Sequence, residues 1–151
     1  MRQFSIGMYF EFALSELTDG YGLSNELRTQ PAVSLLARSA NQQIAWANDI
    51  LTVDKEVRQG DVHNLVLSIR QEHRLSLNEA IKEAIIMHNR AVESFLNSAA
   101  YLLTSGTDVA GLAKYIQALQ HWMGGHLRWG FESKRYARAL QVQQPTIDAV
   151  A

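Results

Sequence analysis

Apolar residues recur along this chain at intervals of three and four, which is the spacing of an amphipathic helix. The clearest case begins at Ser76 and Glu79, which are three residues apart and predict a capping box at a helix start. One face of the long helix behind them, which is expected to end near Gly106, carries Ala80, Ala84, Met87, Ala91, Phe95, Ala99 and Leu102. No stretch shows the apolar–polar alternation of a strand, so the pattern predicts an all-α fold.

Three helices are predicted before this long one. The first spans residues 2–17 and stops in the glycine-containing segment 18–22. No capping residue precedes it, which predicts that the chain opens inside a helix. Pro31 suits the first turn of a second helix, whose pattern continues to residue 60. A short third helix opens at 61–64 and fades in the polar residues that follow.

A last long helix is predicted after the break at Gly106. Thr107 or Asp108 can cap its start, and the pair Gly124–Gly125 could interrupt it. Beyond Tyr136 the sequence turns polar, so residues 137–151 are expected to form a mobile tail.

The composition is that of an ordinary globular domain, with 151 residues, 47% hydrophobic and 19% charged. The net charge of −1 lacks the basic character of a nucleic-acid-binding protein. Cysteine is absent, which excludes disulfides, thiolate zinc sites and thiol nucleophiles. No apolar run approaches the roughly 18 residues of a membrane span, and no signal peptide is recognised. We therefore expect a cytoplasmic protein with neither nucleic-acid nor membrane partners.

The most informative segment for function is 48–56, which reads N-D-I-L-T-V-D-K-E. Asn48, Thr52 and Glu56 are spaced i, i+4, i+8, so successive members lie about 40° apart on one helix face. They offer an amide oxygen, a hydroxyl and a carboxylate, a set that suits Mg²⁺ if a ligand supplies further oxygens. On spacing alone, ordinary polar residues on a solvated face are at least as good an interpretation.

This segment resembles the N-D-x-x-[S/T]-x-x-x-E metal motif of class I terpene synthases at each defining position. Residues 60–66 are also similar to the sequence that trails this motif in bacterial members. The resemblance extends from Arg2 to Tyr136 and implies that residues 1–136 are the C-terminal half of the helical-bundle catalytic domain. It implies Mg²⁺ at Asn48, Thr52 and Glu56, and a prenyl diphosphate substrate that is ionised and cyclised through a carbocation.

The resemblance also implies four diphosphate-binding residues. Lys55 precedes the last metal ligand, and Arg135–Tyr136 is similar to the arginine–tyrosine pair of the family. Arg2 lies 46 residues before Asn48, which is the family's spacing for its diphosphate-sensing arginine. Guanidinium groups bind phosphate through a planar fork, and tyrosine adds a neutral donor. Surface arginines are common, however, and Ser5-Ile6-Gly7 departs from the acidic–glycine step that follows the sensor in some members.

Two tryptophans are the candidates for a substrate cavity. Trp122, Trp129 and Tyr136 are seven residues apart and share one helix face, a spacing that usually indicates core packing. In the family, aromatic residues before the arginine–tyrosine pair line the cyclisation cavity. The resemblance therefore implies that Trp122 and Trp129 face the substrate, where an aromatic face stabilises a carbocation by about 0.5–2 kcal/mol.

The family holds two further Mg²⁺ ions with an aspartate-rich motif that has no counterpart in this sequence. Its aspartates never adjoin one another: they are at 19, 49, 54, 61, 108 and 148. We therefore expect a chain that is inactive alone and associates with a complementary N-terminal half or with itself. One alternative is a catalytically inactive helical binding protein derived from this fold. A prenyl-chain-elongating synthase is less favoured, because such enzymes have aspartate-rich motifs at both sites.

Overall fold

A computed structural model of the chain describes residues 6–104 and 109–133, which are almost wholly helical and contain no strand. The prediction of an all-α fold is therefore confirmed. The helices are α1 (Met8–Thr18), α2 (Asn25–Thr29), α3 (Pro31–Gln59), α4 (Leu65–His73), α5 (Leu77–Thr104) and α6 (Val109–Glu132).

The ends of the two central helices follow the sequence signals. Pro31 occupies the first turn of α3, and Gly60 ends that helix with a left-handed φ of 70°. The predicted capping box of α5 is present: Ser76 N donates to Glu79 Oε2 (2.8 Å), and Glu79 N donates to Ser76 Oγ (3.3 Å). Both long helices therefore begin where local chemistry specifies.

Three details differ from the sequence expectations. Among the described residues the first helix starts at Met8, after Gly7 with its φ of 78°, and residues 1–5 of the predicted helix 2–17 lie outside the described residues. Helix α2 was not predicted, because its five residues are too few to show a periodic pattern. Ser24 caps its start, with Oγ accepting from Leu27 N at 3.2 Å. Helix α6 runs on through Gly124–Gly125, each of which costs it about 1 kcal/mol relative to alanine. The predicted cap at Thr107 or Asp108 and the tail 137–151 lie outside the described residues.

The core forms where α3 and α5 pack against each other and against α1 and α6. Ile44, Phe95, Leu102 and Leu119 are at most 1% exposed and belong to this cluster. A second, smaller cluster joins α3, α4 and α5. Of the seven apolar residues predicted on one face of α5, six are buried and Met87 is partly buried. Helix α3, which carries the metal motif, is thus held from several sides.

Several large apolar side chains remain on the surface of α1 and α6. Phe10 and Leu17 are 70% and 80% exposed, and Phe131 is 56% exposed. Across residues 6–104 and 109–133, no helix combines the length and apolar character needed to cross a membrane.

Candidate metal and substrate site

The three predicted metal ligands lie in the second half of α3. Thr52 is buried at 4% exposure, while Asn48 and Glu56 are partly buried. The hydroxyl of Thr52 donates its hydrogen to the backbone oxygen of Asn48 at 2.8 Å. Since that bond uses only the hydrogen, the oxygen lone pairs of Thr52 stay available to a cation.

The carboxylate of Glu56 is held by a residue beyond the end of its own helix. Asn64 Nδ2 donates to Glu56 Oε2 at 2.7 Å, and the same amide group donates to the backbone oxygen of Asp49 at 2.7 Å. On its other side, Asn64 Oδ1 accepts from Val66 N (2.8 Å) and caps α4. One buried side chain therefore joins the metal motif to the following helix.

Asp49, the second residue of the motif, joins α3 to the start of α4. It lies about 100° round the helix from Asn48 but only about 20° from Glu56, and it is fully buried. Its Oδ2 accepts a hydrogen bond from Leu65 N at 2.8 Å. The role of Asp49 in the structure is to fasten the start of α4 to α3.

Neither Asp49 nor Asn64 is among the functional residues that the sequence predicts. The available signal was the position of Asn64 directly before an apolar run, which is typical of a helix cap. Within the part of the chain that the structure describes, no three His, Cys, Asp or Glu side chains cluster as a metal site. A metal held at Glu56 would therefore have oxygens of Asn48, Thr52, water or a bound ligand at its other positions.

Of the four predicted diphosphate-binding residues, Lys55 lies within the described part of the structure. Lys55 is on α3, directly before Glu56, and is partly buried. Arg2, Arg135 and Tyr136 lie outside the described residues.

Both predicted cavity tryptophans line one cleft between α1 and α6. The cleft has a volume of about 550 Å³ and is lined by Met8, His121, Trp122, Gly125, His126 and Trp129. Trp122 Nε1 donates to Ser15 Oγ of α1 at 2.8 Å, which fixes the plane of its indole ring. Trp122 and Trp129 are 36% and 47% exposed, so neither is an ordinary core residue.

A histidine also belongs to this cleft and was not selected from the sequence. The ring of His126 lies 6.2 Å from that of Trp129, centre to centre, at an angle of 39°. Burial lowers the pKa of His126, because the charged imidazolium is poorly solvated there. The cleft therefore favours a neutral imidazole beside its aromatic wall.

Helices α6 and α3 approach each other closely near the C-terminal end of α6. A Cβ atom on Gly130 would lie only 2.6 Å from Leu51 Cδ1. Leu51 lies about 60° round α3 from Asn48 and about 140° from Glu56, so α6 contacts α3 on the Asn48 side of the predicted ligands. Glycine at this position lets the two helices pack at short distance.

Residues 1–94 match the family model described as terpene synthase family 2, C-terminal metal binding. Among similar curated proteins, a germacrene A synthase of Nostoc punctiforme is 34% identical over 138 residues, covering 90% of this chain and 42% of that protein. A (+)-T-muurolol synthase of Roseiflexus castenholzii, named as cyclising (2E,6E)-farnesyl diphosphate, is 37% identical over 144 residues, covering 95% and 44%. The chain thus spans less than half the length of these relatives.

A solved structure agrees with these similarities. The linalool/nerolidol synthase of Streptomyces clavuligerus superposes with a TM-score of 0.80 at 26% identity, over 85% of this chain and 46% of that one. The same enzyme in complex with 2-fluorogeranyl diphosphate gives a TM-score of 0.72 at 25% identity, over 79% and 42%. From its metal motif, its helical architecture and these matches, we conclude that the chain belongs to terpene synthase family 2 and carries the family's C-terminal metal-binding region.

Proposed function

We propose that this chain supplies the C-terminal part of a cytoplasmic, Mg²⁺-dependent terpene synthase that ionises and cyclises a prenyl diphosphate. The observation that carries the proposal is the second half of α3, where hydrogen bonds hold Thr52 and Glu56 and where Leu51 contacts α6 at Gly130. Related proteins that bind or cyclise prenyl diphosphates support the same reaction class.

The residues present fit one Mg²⁺ ion. Asn48, Thr52 and Glu56 provide three oxygen ligands of low total charge, and Mg²⁺ retains water and phosphate oxygens at its other positions. When bound, such an ion offsets the negative charge that develops on the departing diphosphate. Lys55, Arg2, Arg135 and Tyr136 are proposed to hold the same diphosphate through charge-assisted hydrogen bonds.

The cleft between α1 and α6 is proposed to line one side of the substrate cavity. Trp122 and Trp129 present partly exposed aromatic rings to it, and an aromatic face attracts a carbocation most strongly where water is excluded. The bond from Trp122 Nε1 to Ser15 Oγ keeps one ring in place during the reaction.

A complementary N-terminal half is the proposed partner. The relatives are more than twice as long as the matched region, and no two aspartates of this sequence adjoin. The exposed apolar side chains of α1 and α6, among them Phe10, Leu17 and Phe131, are surfaces that such a half would cover. Residues 1–136 then form one part of a shared catalytic domain, with 137–151 as a tail.

The proposal is tested by calorimetry with Mg²⁺, inorganic diphosphate and both together. Each ligand should tighten the other by the same factor, because the anion gives oxygens to the metal and the metal offsets the anion's charge. Glu56→Ala and Arg135→Ala should abolish or weaken this coupling. Asp54→Ala is the matched control, since Asp54 lies on the same helix about 160° round from Thr52.

Activity provides the second test. The chain alone should give no product from farnesyl or geranyl diphosphate with Mg²⁺, whereas addition of an N-terminal half carrying an aspartate-rich motif should restore cyclisation. Gas chromatography distinguishes the two outcomes. Product from the pure chain above a Glu56→Ala control would contradict the need for a partner.

In the calorimetry, independent binding of Mg²⁺ and diphosphate would favour the alternative of a catalytically inactive helical binding protein.

A further inference from the structure

Asn64 makes more hydrogen bonds than a helix cap requires. Its Oδ1 accepts from Val66 N at 2.8 Å and Leu67 N at 3.3 Å, which is the capping function. Its Nδ2 donates one hydrogen to Asp49 O and the other to Glu56 Oε2, both at 2.7 Å. All four hydrogen-bonding positions of the amide are used, and the side chain is 2% exposed.

We propose that Asn64 is a positioning residue for Glu56, holding the carboxylate in the orientation that the metal needs. The inference rests on the proposed function, in which Glu56 binds Mg²⁺. Asn64 does not contact substrate in this scheme. It acts through Glu56, from a different helix and eight residues further along the chain.

The choice of residue type supports a role beyond capping. The starts of α2 and α5 are capped by serine hydroxyls, from Ser24 and Ser76, which accept backbone hydrogens without reaching a second helix. An asparagine caps equally well and also carries two donors. The donor side of Asn64 bonds Asp49 O and Glu56 Oε2, and neither of these bonds is needed to cap α4.

The chemistry of the amide suits a metal ligand. A neutral donor binds one oxygen of Glu56 without cancelling its charge, and leaves the other oxygen and further lone pairs for a cation. It also restricts a side chain that otherwise rotates freely about several bonds. Mg²⁺ demands near-octahedral geometry at about 2.0–2.1 Å, whereas Ca²⁺ tolerates irregular sites. Loss of the restraint should therefore weaken Mg²⁺ more than Ca²⁺.

The test compares Mg²⁺ and Ca²⁺ affinities by calorimetry, with 2-fluorogeranyl diphosphate present, for the parent chain and Asn64→Ser. Serine keeps a capping oxygen but cannot donate to Glu56. We expect Mg²⁺ to bind about tenfold more weakly, a typical loss when a group supporting a metal ligand is removed. Ca²⁺ affinity should fall several-fold less. Ser76→Ala is the matched control: it removes a cap far from the site, so it should lower the melting temperature and leave both affinities unchanged.

A second variant guards against misfolding of the first. Asn64→Asp is nearly the same size and caps α4, but it places an acidic oxygen against Glu56 in place of a donor. The ratio of Mg²⁺ to Ca²⁺ affinity should fall for this variant too.

The outcomes separate this inference from the proposed function. If the parent chain binds Mg²⁺ and Glu56→Ala does not, while Asn64→Ser and Asn64→Asp keep the parent's ratio of affinities, Asn64 is only a cap and the inference is wrong. An equal loss of both cations would also overturn it, since a merely structural defect does not discriminate between them. If the parent shows no coupled binding at all, the proposed function fails and the inference fails with it.

Discussion

Replacement of Glu16 by alanine should destabilise the fold by about 3 kcal/mol. The side chain of Glu16 is 5% exposed and accepts from Arg28 Nη1 at 3.0 Å, from Arg28 Nη2, and from Leu23 N at 3.2 Å. These bonds fasten α1 to the loop before α2 and to α2 itself. Because α1 supplies Met8 to the cleft and Ser15 as the partner of Trp122, these bonds of Glu16 also help to place one wall of the candidate site.

The magnitude follows from what each partner loses. Leu23 N would be left unpaired in a buried position, which costs about 1–2 kcal/mol. Arg28 is 46% exposed and can turn to water, so its lost attraction is worth only about 1 kcal/mol, well below a fully buried pair. The emptied side-chain volume accounts for the remainder.

Urea unfolding at one fixed protein concentration measures this loss. With a slope of about 2 kcal/mol/M, a loss of 3 kcal/mol lowers the midpoint by about 1.5 M. Glu132→Ala is the matched control, because Glu132 pairs with Arg128 at 2.8 Å on the surface and should lose no more than about 0.5 kcal/mol. The reasoning is refuted if the two variants shift the midpoint equally.

Three further predictions concern other features. The exposed apolar faces of α1 and α6 should give dimers or larger species in sedimentation at micromolar concentration, and a stable monomer would contradict this. Tyr21→Phe should raise the free energy of unfolding near neutral pH by about 1 kcal/mol, because it removes a buried hydroxyl that has no hydrogen-bond partner among the described residues. Burial, followed by the charges of Glu16 and Asp19, raises the pKa of Tyr21 from 10.0 to about 12. The folded state therefore favours the protonated hydroxyl, and this contribution to stability is complete below pH 10 and lost as the pH rises through 12. Tyr21→Phe should reduce the fall in unfolding free energy over that range. An equal fall in both proteins would refute the raised pKa of Tyr21. Gly130→Ala should change the free energy of unfolding by less than about 1 kcal/mol, because overpacking against the end of the Leu51 side chain offsets the higher helix propensity of alanine. In a Leu51→Ala background the same change should be stabilising; strictly additive effects in denaturant unfolding would argue against the close approach.

The fold could be predicted well wherever a local signal coincided with a long apolar pattern. Pro31 and the Ser76–Glu79 box defined the starts of α3 and α5, because proline geometry and reciprocal capping are properties of a few adjacent residues. Helix α2 was missed because five residues are too few to show a period. The suggested break at Gly124–Gly125 was wrong, because packing of α6 along its length outweighs the low helix propensity of glycine.

Only the part of the candidate site that lies on a single helix could be predicted from the sequence. The spacing of Asn48, Thr52 and Glu56 is a property of α3 alone, so the sequence placed them on one face. The bond between Asn64 and Glu56 depends on how α4 folds back, which no periodicity encodes. The cleft likewise arises from the contact of α1 with α6, so His126 gave no signal beyond being one histidine among five.

Because Asp49 and Asn64 bind the start of α4 to α3, local unfolding of the first turn of α4 also releases the carboxylate of Glu56. If the first turn of α4 opens, Leu65 N leaves Asp49 and Asn64 leaves Glu56. A cation bound at Glu56 stabilises the closed form and not the open one, so it makes that opening rarer. The amide hydrogens of Leu65, Val66 and Leu67 would then exchange with solvent more slowly, although none of them contacts the metal.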